Sequence, residues 1–339
     1  MTVGQSGVAE NLEILHRGLA THGFIPGWQR PGGPALWSAP KDNFDVVSWS
    51  YAAAREHLLR AGPLVSLELS ERRNLILANP IDGNYYPTSR TQVLAYQMVL
   101  PGDRARVHRH SPHAGRLILD VDDAVYTVVN GVQVPMRAND VVLTPGWMWH
   151  GHGNDGQRPA LWVDFLDVPL VQLLEPMFFE SHPEGWPEPQ TQTRATPLLF
   201  PWDETRPKID TAPHDPYYGK RVDLGEPALP TMGLSMHGIL AGEPTIPFRT
   251  TANQQYVVVE GEGWSMVRGR TIEWSRGDIF VVPCWAPLQH FSAEGAILFR
   301  VSDEPLQQYC GYHRLEAVTE DQLANTQAIG PGRPARSTR

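Results

Sequence analysis

Cysteines and long apolar runs are nearly absent from this chain of 339 residues. Its only two cysteines, Cys284 and Cys310, exclude a disulfide scaffold, a zinc site of four cysteines and a cysteine-rich iron–sulfur site. No run approaches the ~18 apolar residues that a membrane span needs. Residues 1–20 contain charged side chains and lack the apolar core of a signal peptide. We therefore expect a cytoplasmic protein.

Positive charge is also scarce. The chain has 28 lysines and arginines against 37 aspartates and glutamates, which gives a formal net charge of −9. This balance argues against a nucleic-acid coat and against a polybasic membrane anchor. Proline, glycine and tryptophan are abundant instead, at 31, 30 and 11 residues. This composition favours many turns and short strands over a helical bundle.

The apolar pattern changes along the chain. Val8, Leu12, Leu15 and Leu19 have helical spacing, and a second helix is predicted at 50–60 with Gly62-Pro63 as its end. From about residue 64, short apolar runs alternate with Asn-Pro, Pro-Gly and Asn-Gly turns, which is typical of an antiparallel β-sandwich or barrel.

Two later segments differ from this pattern. Ten prolines between 183 and 230 indicate an irregular connector rather than core strands. A second β-rich region follows at 231–303, and the polar residues after about 321 are expected to form a loose tail. The chain therefore divides into two β regions with a connector between them.

The two β regions contain an internal repeat. Residues 127–131 and 139–147 have counterparts at 265–269 and 277–285, at a constant offset of 138. Each copy keeps a small-residue turn, an aspartate, an apolar run and a final Pro-x-Trp. Two copies of one β-barrel explain this pattern most simply.

Histidines are concentrated in the first copy. Five of the 13 lie between 108 and 152. His108 and His110 are two residues apart and point to one face of a strand, and His150 follows a later strand that a barrel brings nearby. Three neutral imidazoles with open positions make a metal site, and this set by itself suits zinc as well as iron.

Gly102 and the His108–His110 pair resemble the first cupin motif, and residues 139–154 resemble the second. Cupins normally place a glutamate shortly after the first histidine pair, but Ala114 and Gly115 stand there. The wider pattern resembles a family that uses three histidines only, the gentisate 1,2-dioxygenase and salicylate 1,2-dioxygenase bicupins, over about residues 65–305. The strings that carry the resemblance are Glu71-Arg72-Arg73 with Asn79-Pro80, Gln97 with Pro101-Gly102, His108-Arg109-His110 with Arg116, Leu143–Asn154, and Trp162–Leu170.

The resemblance implies a mainly β bicupin, that is, two antiparallel jelly-roll cupin barrels with N-terminal helices. We expect one metal per chain, because Phe248, Thr250 and Leu288 align with the three ligands in the second copy and only His290 remains, opposite His152. The expected divisions are an N-terminal helical segment at 1–63, a catalytic cupin domain at 64–182, the connector at 183–230, a metal-less cupin domain at 231–316 and a tail at 317–339.

The resemblance also implies an Fe(II)-dependent, extradiol-type 1,2-dioxygenase. His108, His110 and His150 would hold Fe(II), and the enzyme would use O2 to open a 2-hydroxybenzoate between C1 and C2. The substrate would be gentisate, salicylate or a 5-substituted salicylate such as 5-nitrosalicylate. We expect a homo-oligomer, with a tetramer as the family's habit.

Four further groups of side chains are candidates for the reaction. Arg72 and Arg116 suit the charged oxygens of the substrate, because guanidinium pairs with carboxylate in a fork, although Arg73 competes with Arg72 for this role. Gln97 would donate a hydrogen bond to the substrate or face solvent. His152 would be a substrate donor or proton carrier, with a fourth metal ligand as the alternative. Asp164 would orient a ligand imidazole or form a structural ion pair.

Departures from the family pattern leave the substrate open. Gly151 stands where an aspartate is usual, and Leu117 stands where phenylalanine is common. A 5-substituted variant such as 5-nitrosalicylate therefore receives nearly the same weight as gentisate. Two other functions compete: a bicupin that binds a small acid or a metal without turnover, and a zinc-type hydrolase or isomerase.

Overall fold

The computed structural model describes residues 3–29, 33, 35–41, 43–67, 69–70, 72–225 and 229–325. These residues form two compact units that are divided after Lys41. The first unit contains helix α1 (Val3–Thr21) and a short 3-10 helix (Gly27–Gln29). The helical spacing of the N-terminal apolar residues is thus confirmed, and Val8, Ile14 and Leu15 of α1 are exposed.

The second unit begins with a strand and the second helix predicted from sequence. Ser50 caps that helix by accepting from the Ala53 amide, and the chain leaves it at Gly62. In chain order its elements are β1 (Val47–Trp49), α2 (Tyr51–Ala61), β2 (Arg73–Ile76), β3 (Val93–Val99), β4 (Arg104–His110), β5 (Ala114–Asp120), β6 (Val125–Val129), β7 (Val132–Pro135), β8 (Val141–Thr144), β9 (His150–Asn154), β10 (Ala160–Leu166), α3 (Val168–Leu174), β11 (Phe179–Ser181), β12 (Thr191–Gln192), β13 (Leu199–Phe200), α4 (Trp202–Thr211), β14 (His214–Asp215), β15 (Gly219–Asp223), β16 (Gly233–Ile239), β17 (Phe248–Thr250), β18 (Gln254–Glu260), β19 (Glu262–Val267), β20 (Arg270–Ser275), β21 (Ile279–Val282), β22 (Leu288–Phe291), β23 (Ala296–Ser302), α5 (Glu304–Tyr309), β24 (Leu315–Ala317) and α6 (Glu320–Ala324).

Two sheets form the first barrel. One has the order β13-β8-β5-β10-β3-β2 and the other β11-β4-β9-β6-β7-β12. Buried side chains of both sheets, among them Ile118, Met136, Val142 and Trp162, form the core of this barrel. Alternate residues of each strand point inward, so that one face of each sheet lines the interior of the barrel.

Two further sheets form the second barrel, in the orders β1-β21-β18-β23-β16-β15-β14 and β20-β19-β22-β17-β24. Its interior is more apolar, with Phe248, Tyr256, Phe280 and Leu288 in one buried cluster. Strand β1 precedes the first barrel in the chain but pairs with β21 of the second.

The two barrels share a third buried cluster where the β13-β8-β5-β10-β3-β2 sheet of the first meets the seven-stranded sheet of the second. Phe165 of the first barrel lies 5.5 Å from Phe299 of the second, measured between ring centroids. The Tyr96 hydroxyl donates to the Gly277 carbonyl at 2.7 Å. The fold class expected from sequence, mainly β with two antiparallel barrels, is confirmed.

Unusual backbone angles repeat with the sequence. Positive φ angles occur in pairs of residues that lie 138 positions apart: Asn130 (46°) and Arg268 (47°), Asn139 (66°) and Gly277 (86°), and Trp147 (66°) and Trp285 (64°). Non-glycine residues rarely adopt such angles. Their recurrence at this offset supports the interpretation of the barrels as two copies of one unit.

The proline-rich segment is more regular than expected. Instead of an irregular connector, it contains α4 and β15, and β15 pairs with β16 inside a sheet of the second barrel. Strand β15 contains no proline, and Pro201 precedes the first turn of α4, where no amide donor is needed, although Pro207 lies inside this helix.

The described part of the expected loose tail is helical instead. Thr319 and Gln322 form a capping box on α6, and Leu323 of this helix is buried. Residues 326–339, the rest of the predicted tail, lie outside the described residues. Among the residues described, no helix is long and apolar enough to cross a membrane.

Candidate metal centre and substrate pocket

Three histidines converge inside the first barrel. His108 and His110 lie on β4 and His150 lies on β9, and His108 is the antiparallel partner of His150. One ring nitrogen from each of the three lies within 4.8 Å of the others. The strand register therefore brings together the three residues that the sequence singled out.

Backbone carbonyls orient all three imidazoles in the same way. Each Nδ1 lies within hydrogen-bond distance of a backbone carbonyl two residues away. Because a carbonyl can only accept, each Nδ1 carries the ring proton, and each Nε2 keeps its lone pair. Burial, aided by the positive charge of Arg72, lowers the pKa of His108 to about 3, so this imidazole is neutral. Neutral imidazoles held through their second nitrogen suit a divalent metal ion. The three acceptors are the carbonyls of Arg106 (3.1 Å), Pro112 (2.8 Å) and Met148 (2.9 Å).

A tight turn before β9 fixes the position of His150 relative to β4. The Trp147 amide donates to the His110 carbonyl at 2.8 Å, and Trp147 has a φ of 66°. Gly146 lies so close to β4 that a Cβ there would come within 2.4 Å of the Ser111 carbonyl oxygen. The Pro-x-Trp motif thus fixes the position of one metal-ligand candidate against the strand of the other two.

Arg116 lies beside this cluster and is only 1% exposed. It is the β5 partner of Asp164 on β10, and its Nε lies 3.4 Å from Asp164 Oδ1. Asp164 also accepts from Trp162 Nε1 at 2.9 Å. Of the two roles expected for Asp164, its contacts are those of the structural ion pair, because its carboxylate holds Arg116 and Trp162. Backbone carbonyls, rather than Asp164, orient the three imidazoles.

Arg72 and Arg73 have different environments. Arg73 Nη1 forms an ion pair with Asp103 at 2.5 Å. Arg72 Nη1 lies 3.2 Å from His152 Nε2, so of the two it is Arg72 that faces the site. Glu71, the first residue of this motif, lies outside the described residues.

His152 and Gln97 complete the polar wall. His152 is fully buried, with its ring 6.1 Å from that of His150 and 5.5 Å from that of Trp162. Gln97 is 2% exposed rather than solvent-facing, and its Nε2 has no hydrogen-bond partner among the described residues. A buried amide donor without a partner is costly, so a bound molecule with an acceptor would satisfy it.

Among the described residues that meet at His152, positive charge exceeds negative charge. The imidazoles are neutral, and Asp164 balances only one of the two arginines, Arg72 and Arg116. Burial and these arginines hold the pKa of His152 well below its ordinary value. The arrangement is suited to an anionic ligand that reaches a metal ion.

Sequence reasoning missed strand β11, which covers the metal-ligand strand. Phe179 of β11 stacks on His108 with 5.1 Å between ring centroids, and Glu180 pairs with Arg109 at 2.6 Å. Arg109 in turn lies over the Trp149 ring, 4.4 Å from its centroid. The apolar run at 177–179 was the available signal, but three residues give no strand periodicity.

The two departures from the family pattern point away from the site. Leu117 alternates with Arg116 on β5 and packs in the cluster between the barrels. A Cβ at Gly151 would meet Ala105 O, Val107 Cγ2 and Trp186 Cζ3, each at 2.9 Å, on the side opposite His150. Neither position therefore lines the site directly.

In the second barrel, other side chains occupy the positions of the three candidate metal ligands. Phe248 is the partner of Leu288, as His108 is of His150, and Phe248, Leu288 and Thr250 are all buried. Within the described ranges, the only group of three side chains able to hold a metal ion is His108, His110 and His150.

Two barrels of repeated structure, one with three converging imidazoles, define a bicupin with a metal-binding site in its first barrel. Residues 95–168 match the family model described as Cupin domain.

The chain belongs to the gentisate and salicylate 1,2-dioxygenase family, which comprises ring-cleaving dioxygenases. It is 30% identical over 337 residues to Gentisate 1,2 dioxygenase 1 of Aquipseudomonas alcaligenes, covering 91% of this chain and 96% of the relative. It is 31% identical to 5-aminosalicylate 1,2-dioxygenase of Comamonas sp, covering 91% of this chain and 90% of that one. The crystal structure of salicylate 1,2-dioxygenase from Pseudaminobacter salicylatoxidans matches with a TM-score of 0.80, 28% identity, and coverage of 92% of this chain and 98% of that one.

Proposed function

We propose that this protein binds Fe(II) through His108, His110 and His150 and uses O2 to open the ring of a 2-hydroxybenzoate between C1 and C2. The observation that carries the proposal is the position of Arg72 and Arg116 around His152, next to three neutral imidazoles. A 2-hydroxybenzoate carries a carboxylate and an ortho oxygen, which suit the arginines and a metal ion together. The open-chain product keeps every atom of the substrate and both atoms of O2, as an extradiol-type cleavage requires.

Iron is proposed on the chemistry of the donor set and of the relatives. Three neutral ligands leave the full divalent charge on the ion, and up to three positions stay open for substrate oxygens and O2. When bound, Fe(II) supplies those positions and a route for electron density from the ring to O2.

The protein side chains then bind and orient the acid. Arg116 is fixed by Asp164, so its remaining donors can meet the carboxylate without reorganisation. Gln97 Nε2 donates to a further substrate oxygen, and His152 contacts the substrate hydroxyl. Trp162 and the buried barrel core exclude water from the reacting atoms.

The substrate class rests partly on the relatives, whose names specify gentisate, 5-aminosalicylate and salicylate. We place the substrate among gentisate, salicylate and 5-substituted salicylates such as 5-nitrosalicylate. The test is O2 uptake by the Fe(II)-loaded protein with gentisate, salicylate, 5-nitrosalicylate, 5-aminosalicylate, 5-chlorosalicylate and 1-hydroxy-2-naphthoate.

Uptake with one of these acids, matched by loss of the aromatic absorbance and abolished in His150→Ala, would support the proposal and rank the substrates. The Zn(II)-loaded protein is the matched control and should consume no O2. Bound iron without uptake on any acid would contradict the proposal and favour a bicupin that binds a small acid without turnover.

We also infer that the chain forms a homo-oligomer, with a tetramer as the expected state. Helix α1 exposes Val8, Leu12, Ile14 and Leu15, and such a row of apolar side chains favours a protein partner. Light scattering after size exclusion measures the mass directly, and a monomer at micromolar concentration would contradict the inference.

A further inference from the structure

A buried threonine connects the two polar side chains proposed to contact the substrate. Thr127 on β6 is the antiparallel partner of His152 on β9 and is fully buried. Its Oγ1 lies 2.8 Å from His152 Nδ1 and 2.5 Å from Arg116 Nη1. The same hydroxyl lies 3.5 Å from the sulfur of Met136.

The chemistry of these neighbours fixes the direction of each hydrogen bond. Arg116 has donors only, so its Nη1 donates to Thr127 Oγ1. The Met136 sulfur can only accept, so it receives the Thr127 hydroxyl proton. Oγ1 is then left as an acceptor for His152, which means that Nδ1 carries the imidazole proton.

The two arginines beside His152 do not by themselves decide between its tautomers. Arg72 Nη1 lies 3.2 Å from Nε2 and Arg116 Nη1 lies 3.2 Å from Nδ1, and an arginine can only donate. Thr127 decides, because its Oγ1 lies closer to Nδ1, at 2.8 Å, and with the hydroxyl proton directed to Met136 both Nδ1 and Arg116 Nη1 donate to that oxygen. The opposite tautomer would set an N–H group against Arg72 and take the hydroxyl proton from Met136.

The second barrel shows the opposite arrangement at the same positions. Ser265 Oγ, the counterpart of Thr127, lies 2.7 Å from His290 Nδ1, but Trp274 replaces Met136 and its Nε1 donates to Ser265 at 2.9 Å. Because tryptophan only donates, the Ser265 hydroxyl proton is free to go to His290. Methionine and tryptophan thus select opposite tautomers of two equivalent histidines.

We propose that Thr127, with its hydroxyl directed by Met136, is a positioning residue of the reaction. It fixes His152 as the Nδ1–H tautomer and holds Arg116 beside Nδ1. Nε2 then keeps its lone pair, which accepts from Arg72 in this structure and from a substrate hydroxyl when Arg72 turns to the substrate carboxylate. This inference rests on the proposed function, because the substrate hydroxyl is that of the 2-hydroxybenzoate.

The tautomers can be measured without turnover. In the full chain loaded with diamagnetic Zn(II) and labelled with ¹⁵N-histidine, two-bond ¹⁵N–¹H correlation spectra distinguish a protonated ring nitrogen from one with a lone pair. His152→Gln and His290→Gln assign the two signals. We expect Nδ1–H for His152 and Nε2–H for His290; a wild-type His152 with its proton on Nε2 would overturn the proposal.

Three variants connect the tautomer to catalysis. Thr127→Val keeps the shape but removes the hydroxyl; we expect the His152 proton to move to Nε2 and kcat/KM to fall about 10- to 100-fold, at unchanged iron content. Thr127→Ser should restore both the tautomer and kcat/KM. Ser265→Ala, the matched change in the second barrel, should leave kcat/KM within about twofold, as expected of a site remote from substrate.

The outcomes separate this proposal from the proposed function. If Thr127→Val keeps the wild-type tautomer, or if Ser265→Ala lowers kcat/KM as much as Thr127→Val does, the positioning role is refuted. If the wild-type protein consumes no O2 on any acid, the proposed function fails, and the tautomer spectra of wild type and Thr127→Val still decide what Thr127 does.

Discussion

Replacing Arg116 with methionine should affect both stability and catalysis. The side chains of Arg116 and Asp164 are 1% and 9% exposed, and Nε lies 3.4 Å from Oδ1. Arg116→Met leaves the Asp164 carboxylate buried, with Trp162 Nε1 as its remaining hydrogen-bond donor among the described residues. Removing one partner of a buried ion pair costs about 3–5 kcal/mol, so the free energy of unfolding should fall by that amount.

The second variant tests the cause of this loss. Arg116→Met with Asp164→Asn removes both charges and keeps an acceptor for Trp162. Because the cost arises from the unpaired carboxylate, the double variant should regain about 2 kcal/mol relative to Arg116→Met. Urea unfolding of the metal-free proteins, followed by tryptophan fluorescence, measures the difference without a contribution from metal binding.

The catalytic effect has a different size and a matched control. A charge-assisted hydrogen bond contributes about 1.5–3 kcal/mol, so kcat/KM of iron-loaded Arg116→Met should fall about 10- to 150-fold. Arg73→Met breaks the neighbouring buried pair with Asp103, 2.5 Å long, and should lose stability while keeping kcat/KM. Equal kcat/KM in Arg116→Met and wild type, or no gain of stability in the double variant, would refute the reasoning.

Three further predictions follow from other parts of the structure. His150→Ala should lose stoichiometric metal, measured by atomic absorption, while its circular dichroism stays that of the wild type; retained metal would contradict the three-histidine site. Gly151→Asp should lower Tm, because even a Cβ there lies 2.9 Å from Ala105 O, and an unchanged Tm would contradict that packing. Burial, with Arg300 nearby, lowers the pKa of His290 to about 3, so only the unfolded state binds this proton between pH 6.5 and 3. As the pH is lowered through that range, this residue should therefore reduce the free energy of unfolding by about 1.4 kcal/mol per pH unit. His290→Gln should show a shallower dependence of the free energy of unfolding on pH, and a dependence equal to that of the wild type would contradict the prediction.

The features predicted correctly from sequence are those that local patterns encode. Helix α2 begins at a serine cap and ends at Gly62, and the barrel strands alternate with turns that require positive φ, such as the one at Asn130. The His108–His110 pair needs only strand alternation to share a face. Each of these signals spans a few residues, so no knowledge of strand pairing was needed.

The features that the sequence left open depend on strand partners. Asp164 was expected to support a ligand imidazole or to form a structural ion pair; its partner in register is Arg116, and no local pattern specifies that register. Leu117 and Gly151 were given weight for the substrate because they depart from the family pattern next to Arg116 and His150. Alternation on their strands turns both side-chain positions away from the site, which the sequence pattern alone did not reveal.

Comparison of the two barrels shows where the function lies. Their backbones share turns and registers, yet Tyr256 and Arg300 occupy the paired positions of Arg116 and Asp164 in the second barrel. The second barrel thus places its arginine on the opposite strand, where Glu304 at 2.7 Å neutralises it, and replaces the metal ligands with core residues. Since the same fold accommodates both sets of side chains, the fold alone cannot specify catalysis. What distinguishes the first barrel is a group of three converging imidazoles beside two arginines, of which Asp164 pairs with one, and a buried amide donor.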